Sequence, residues 1–225
     1  MREVILFRDV VKNFGGTTIL DGIDLSVRKG EFVVIFGEVG VGKSTLVKMA
    51  YFQEFPDEGE VSVLSTPHTL ARRNRKVLQE VRRKIGVIKQ MPVHLEDMTC
   101  YENVLYVLER LGFNRRVARE RTERALARVG LTHRKDAYPS ELSAGQRQKL
   151  AIARAIAKEP VILLADDPTL GLDERSSAEI ERLFMEINEY GTTVLWTSNR
   201  IPKTVGKADD VSIYRLAEGR LHQVP

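Results

Sequence analysis

FGEVGVGKST, residues 36 to 45, decides the fold. Inside it, Gly37-Glu38-Val39-Gly40-Val41-Gly42-Lys43-Ser44 has the spacing G-x-x-x-x-G-K-[ST] of a phosphate-binding loop. EFVVIF (31–36) precedes it as a short apolar strand bounded by Gly30 and Gly37, and a helix starts near Lys43 and runs through LVKMAYF. The glycines let the backbone wrap a phosphate with its N–H groups, and the helix N-terminus adds a positive dipole end. Lys43 is expected to reach the β- and γ-phosphates and the Ser44 hydroxyl to ligate Mg²⁺, with Gly37 to Thr45 forming the phosphate cradle. The alternative, a glycine turn before an ordinary helix, is disfavoured by the strand on one side and the helix on the other.

A second stretch, VILLADDPT (161–169), ends an apolar run in two adjacent carboxylates, Asp166 and Asp167. Neighbouring carboxylates repel, and burying either costs several kcal/mol unless a cation sits opposite. A metal ion on a phosphate is that cation. Asp166 is therefore expected to contact the metal, directly or through water, and Asp167 to polarise the attacking water. The plainer reading is that Asp167 caps the following turn.

The chain of 225 residues is long enough for one large domain or one domain with a sub-domain. Its 43% hydrophobic and 29% charged residues predict a packed core rather than disorder. No apolar run approaches the roughly 20 residues that span a bilayer. Arg8 and Asp9 interrupt the N-terminal apolar stretch, which does not read as a signal peptide. One cysteine, Cys100, excludes an intrachain disulfide and fits a reducing cytosol; the four histidines are scattered. The net charge is +4, with basic residues concentrated at 71–84 and 114–128. Each segment reads either as a solvated helix face or as a surface for an anionic membrane or nucleic acid.

Strands are expected at 3–9, 20–27, 31–36, 85–89, 161–165 and 192–197, helices at 101–112, 115–130, 144–158 and 177–191, and a hairpin over 209–224 turning at Glu218-Gly219. Strands alternate with helices, which predicts a mainly parallel α/β sheet, and the three helices from 101 to 158 form an inserted helical sub-domain.

ELSAGQRQKLAIARAI (141–156) contains Leu142-Ser143-Ala144-Gly145-Gln146, which resembles the LSGGQ signature of ATP-binding cassette (ABC) ATPases. The other motifs follow in that family's order. Phe14 sits where an aromatic stacks on adenine, Gln90 sits at the Q-loop, and Leu170-Gly171-Leu172-Asp173 resembles the D-loop. The resemblance covers essentially the whole chain. It implies a P-loop core with an N-terminal antiparallel β sub-domain and a helical insertion over 91–158, all one domain over 1–225. It implies ATP and Mg²⁺ as cofactors, with Ser44, Gln90 and Asp166 at the metal. It also implies a head-to-tail homodimer in which Ser143, Gly145, Gln146 and Asp173 complete the partner's ATP site. Ser143 and Gln146 form an S-x-x-Q capping box as well, and a capped helix end presents free N–H groups to an anion. Ala144 in place of glycine adds a methyl at a close-approach site.

Within the family, NFGGTTILDGIDLSVRKGE (13–31), RRKIGVIKQ…TCYENVLYVLERLG (82–112) and YPSELSAGQRQ (138–148) are similar to FtsE-type cell-division ATPases, which partner the membrane protein FtsX. Lipoprotein-release and MacB-type ATPases share much of this pattern. The resemblance implies a chain held at the inner face of the cell membrane by an integral membrane subunit docking near Gln90. MPVHLEDM (91–98) is either that docking surface or packs on the protein's own core.

Two departures concern the chemistry. The family usually has Glu where this chain has Asp167, which draws the carboxylate back by about 1.5 Å. It usually has a histidine where TVLWTSNR (193–200) places Asn199, whose amide donates to a γ-phosphate but never becomes cationic at neutral pH. ATP binding is expected to survive and hydrolysis to be slow; the milder alternative is a loop shift or an extra water that lets Asp167 serve. Three functions compete: an FtsX-linked energising subunit, a transport or lipoprotein-extrusion ATPase, and a soluble ABC ATPase acting on nucleic acid or a cytosolic assembly. The chain lacks the coiled-coil insertion of DNA-repair types and the second cassette of translation-factor types, so no nucleic acid is expected.

Overall fold

The computed structural model describes residues 2–208 and 210–224, without the side chain of Lys207. Met1, Asp209 and Pro225, at the edges of the expected domain and hairpin, lie outside the described residues. The elements run β1 (Glu3–Phe14), β2 (Thr17–Arg28), β3 (Phe32–Phe36), α1 (Lys43–Ala50), β4 (Glu58–Val63), β5 (Thr66–Pro67), α2 (His68–Arg73), α3 (Arg75–Arg83), β6 (Ile85–Ile88), α4 (Cys100–Arg110), α5 (Arg115–Arg128), α6 (Ala144–Ile156), β7 (Ile162–Asp166), α7 (Glu174–Glu189), β8 (Thr193–Ser198), β9 (Val211–Ala217) and β10 (Arg220–Val224).

Two sheets form. One is antiparallel, in the order β2-β1-β4-β5; the other has the order β10-β9-β3-β8-β7-β6. In the second, β9, β3, β8, β7 and β6 are parallel and β10 closes a terminal hairpin on β9. The inner parallel strands β3, β7 and β8 are largely apolar because both of their faces are covered. Along β3, Phe32 and Val34 join a core with α4, α5, α6 and α7, whereas Val33 and Ile35 join a second core with α1 and the antiparallel sheet. β7 divides in the same way: Leu163 and Ala165 face the helical side, Ile162 and Leu164 the α1 side. The period of two therefore carries Asp166 onto the α1 side, where the phosphate loop lies.

The carboxyl ends of the parallel strands are level. Phe36 is in register with Ser198, Thr197 with Asp166, and Ala165 with Ile88. The next residues outward form a row: Gly37, Asn199, Asp167 and, after β6, Gln90. Strands lie about 4.8 Å apart, so four sequence-distant loops converge within three strand spacings. Ligands of open α/β sheets bind at this edge.

Several elements departed from expectation. β1 and β2 are each 12 residues long, well beyond 3–9 and 20–27. Irregularities in their register, near Val10 and Lys12, break the alternation that sequence reading follows. β4, β5, α2 and α3 went unseen because 58–83 is short-winded and charged. Its helices bury only Ala71 and Val81, yet Asn74 accepts from the N–H groups of Lys76 and Val77 as an ordinary N-cap.

Candidate functional site

The phosphate loop is shaped by its glycines. Gly42 sits at φ +107°, and a Cβ there would meet the side chains of Ile19 and Leu20 at 2.9 Å. A Cβ on Gly37 would strike the Leu216 carbonyl. Gly42 is also the N-cap of α1 and offers no side chain to its N–H groups, which leaves them for an anion. The buried Lys43 ammonium donates to the carbonyls of Gly37 at 2.8 Å and Glu38 at 2.6 Å, folding back over its own loop. Burial lowers its pKa, opposed by Asp167 and then Asp166. Glu38, Val39 and Gly40 at the loop tip are exposed, Val41, Ser44 and Thr45 half-buried.

The two carboxylates at the end of β7 are held differently. Asp166 accepts from the Thr197 hydroxyl at 2.8 Å on the neighbouring strand. Asp167 is only 6% exposed and sits at φ +44°, unusual for a side-chain-bearing residue, though Asp tolerates it better than most. Its N–H donates to the Thr197 carbonyl at 2.8 Å, and the Asn199 N–H and Ser198 hydroxyl lie near enough to its carboxylate to favour the charged form slightly. Burial raises its pKa, Lys43 opposes this and Asp166 adds to the rise. The following turn is closed by the Asp167 backbone carbonyl, which accepts from Leu170 N–H at 3.1 Å.

Gln90 and Asn199 are exposed at the same edge. Phe14, at the tip of β1, is 45% exposed and has the Lys12 ammonium 5.2 Å from its ring centroid, so one face is covered by a cation and the other is open. The signature segment forms the expected capping box: Ser143 Oγ accepts from Gln146 N–H at 3.2 Å and Gln146 Oε1 accepts from Ser143 N–H at 3.0 Å. Ala144 is exposed, whereas Gly145 is buried; a Cβ there would lie 2.9 Å from Ser176 Oγ on α7. The close approach within the chain thus belongs to Gly145. Asp173 is the N-cap of α7, accepting from Ser176 N–H at 2.9 Å and from its hydroxyl at 2.6 Å. Among the described residues, no hydrogen bond joins 142–146 to the phosphate loop; the two face the solvent separately.

Sequence reading missed Thr197 and Ser176, which orient Asp166 and Asp173. Nothing in a lone Ser or Thr announces such a partner; only strand register does. It also missed His94, 7% exposed with neither ring nitrogen in a geometrically good hydrogen bond.

Residues 20–170 match the family model described as ABC transporter. The chain belongs to the ABC transporter family. It is 42% identical over 198 residues to the cell division ATP-binding protein FtsE of Streptococcus pneumoniae serotype 2, a match covering 88% of this chain and 85% of that protein. It is 38% identical over 200 residues to the lipoprotein-releasing system ATP-binding protein LolD of Aquifex aeolicus, covering 88% of each. It superposes with a TM-score of 0.82 and 30% identity on the ATP-binding cassette MJ0796, solved as a dimer in a post-hydrolysis state bound to ADP and phosphate, over 98% of this chain and 99% of that one.

This ABC protein is thus an ATP-binding and ATP-hydrolysing subunit with the P-loop core, antiparallel sheet and helical region of its family. ABC ATPases dimerise and partner with integral membrane subunits. No helix among the described residues is long and apolar enough to cross a membrane.

Proposed function

We propose that this chain is the ATPase of an FtsEX-like membrane complex, in which ATP-driven closure of a head-to-tail homodimer is transmitted to an FtsX-like subunit that regulates cell division and cell-wall hydrolysis. The observation that carries the reading is a groove of about 320 Å³ beside Gln90, between β6 and α6, walled by Val87, Ile88, Pro92, Val93 and Val107. At its rim Met91 is 81% and Val93 79% exposed, an apolar pair that an isolated chain gains nothing by displaying. Leu95 and Met98 are half-buried against the protein's own helices, where Asn103 bonds the backbone of Leu95 and Met98. Segment 91–98 therefore divides into an outward and an inward half. The identity to FtsE supports the subclass, and the chain would sit in the cytoplasm against the inner face of the membrane.

In this reading one domain spans 1–225, with 91–158 as its helical sub-domain. Residues Gly37 to Thr45 cradle the ATP phosphates, Lys43 leaves the loop carbonyls for the β- and γ-phosphates, and Phe14 stacks its open face on adenine. Ser143, Gly145, Gln146 and Asp173 of a second copy close the site, with the methyl of Ala144 exposed among them. The metal donors are Ser44, Asp166 and Gln90, all oxygen ligands and too few to hold an ion unaided. That set suits Mg²⁺, which keeps waters and phosphate oxygens in its shell. When bound, Mg²⁺ neutralises charge on the phosphate oxygens. Asp167 accepts the proton of the attacking water and Asn199 donates to the γ-phosphate.

Co-expression with an FtsX-type subunit or with a lipoprotein-releasing-type subunit, followed by purification in detergent, tests the reading. The FtsX-type subunit is expected to co-purify and Val93→Asp to abolish this while ATP binding persists. Selective retention of the lipoprotein-releasing subunit would transfer the chain to the second reading, which the 38% identity to LolD favours.

A further inference from the structure

The two basic segments of the sequence fare differently in the fold. In the first turns of α5 Arg116 pairs with Glu120, and further along Arg121 and Arg124 share Glu159. Three of the six Arg residues of that segment are thus paired, and Glu120 and Glu123 lie among them, so its charge is partly offset along a solvated face. Residues 72–84 carry seven cations, Arg72, Arg73, Arg75, Lys76, Arg82, Arg83 and Lys84, against one carboxylate, Glu80. Among the described residues none of the seven forms an ion pair.

Two of them have structural work. Arg72 lies over the Phe55 ring, and Arg82 donates to the carbonyls of Tyr51 and Phe52 while lying over the Tyr51 ring. The other five are exposed. Positions near the C-termini of α2 and α3 favour cations through the helix dipole, which accounts for Arg73 and Arg83 but not for Arg75 and Lys76 in the first turn of α3, where the dipole opposes them. This face adjoins the docking groove: Tyr51 and Lys158 both line the groove, Arg82 lies over the Tyr51 ring, and Lys158 donates to the Arg82 carbonyl.

We infer that the α2–α3 face is a lipid-contact surface: it binds the anionic headgroups of the membrane beside the subunit that fills the groove. The inference rests on the groove taking a membrane subunit, because that places the adjoining face at the bilayer surface. Continuity with the groove favours lipid over nucleic acid, and a patch of unpaired cations is attracted to an anionic leaflet and released by salt.

Sedimentation of the full chain with vesicles of phosphatidylcholine, with or without phosphatidylglycerol, tests it without any protein partner, so its failure is separate from failure of the docking assignment. Binding is expected only with phosphatidylglycerol and is expected to fall at high salt. The quadruple variant Arg73→Gln/Arg75→Gln/Lys76→Gln/Arg83→Gln should lose at least roughly tenfold in partitioning, with its thermal transition and ATP binding unchanged. Arg115→Gln/Arg116→Gln/Arg119→Gln/Arg124→Gln removes equal charge from α5 and should lose little. Should the quadruple variant fail to fold, the pair Arg75→Gln/Lys76→Gln, at the exposed start of α3, reads the same effect on a smaller scale. Equal losses in the α5 control, equal binding to both vesicle types, no binding to either, or tighter binding to a short DNA duplex at the same salt would each overturn the inference.

Discussion

Thr197 Oγ1 lies 2.8 Å from Asp166 Oδ1 across the β7–β8 pair, so the strand beside the metal-ligand candidate fixes where its carboxylate points. Hydrogen bonds to charged acceptors contribute about 1.5–3 kcal/mol. Thr197→Val keeps the buried shape and removes the donor. It is expected to weaken ATP binding roughly tenfold with Mg²⁺ present and hardly at all without it, read by titration of a fluorescent ATP analogue. Equal weakening in both conditions would assign Thr197 to the fold alone.

The Asp167 side chain is short and buried, on a backbone fixed by its N–H bond to the Thr197 carbonyl. Phosphate release by the natural chain is expected to be slow but above the Lys43→Ala blank, and Asp167→Glu/Asn199→His is expected to be faster by at least about tenfold, given general-base contributions of about 10²- to 10⁴-fold. A natural chain as fast as the double variant would make Asp167 a competent base and the protein an ordinary motor.

Ser143 caps α6 and faces outward, so its two roles separate by substitution. Ser143→Ala should cost about 1 kcal/mol, a fall in Tm of about 2–4 °C, and weaken ATP-dependent dimerisation. Ser143→Asp retains a capping oxygen and should keep Tm, but its charge repels the γ-phosphate of the opposite copy. Dimerisation by light scattering should then be lost with ATP. Retained dimerisation in Ser143→Asp would remove Ser143 from the interface.

His94 is buried between segment 91–98 and α6, and its pKa is lowered to about 4 by burial, then by Arg154 and Arg147. Its unfolded value is about 6.5, so the unfolded chain binds the extra proton as pH falls through this window. The neutral ring's contribution is complete above pH 6.5 and is lost toward about pH 4, a change on the order of 3 kcal/mol. Chemical denaturation of His94→Phe should show a flatter acid limb than the natural chain. Parallel curves would mean another group controls that limb.

Much of the site was legible because phosphate chemistry needs particular residues at fixed local spacing. Gly37 to Ser44, Asp166-Asp167 and the Ser143/Gln146 box are each contained in one short segment. The hairpin turning at Glu218-Gly219 was legible for the same reason, Gly219 standing at φ +76°. The region 58–83 was opaque because its helices bury few apolar residues and its charges mask their spacing. The division of MPVHLEDM was hidden too, since Val93 and Leu95 are equally apolar and only the position of Asn103 decides which is covered.

Sequence alone determined the phosphate-loop pattern, the paired carboxylates at a strand end, the signature cap and the order of elements outside 58–83, because each rests on neighbours along the chain. The tertiary structure decided what depends on neighbours across it: that Thr197 holds Asp166, that Asp167 is buried near Lys43, that Gly145 makes room for Ser176, and that one basic segment is partly paired while the other forms no ion pair among the described residues. Strand register and helix packing set these pairings, and neither is written in any local stretch of residues.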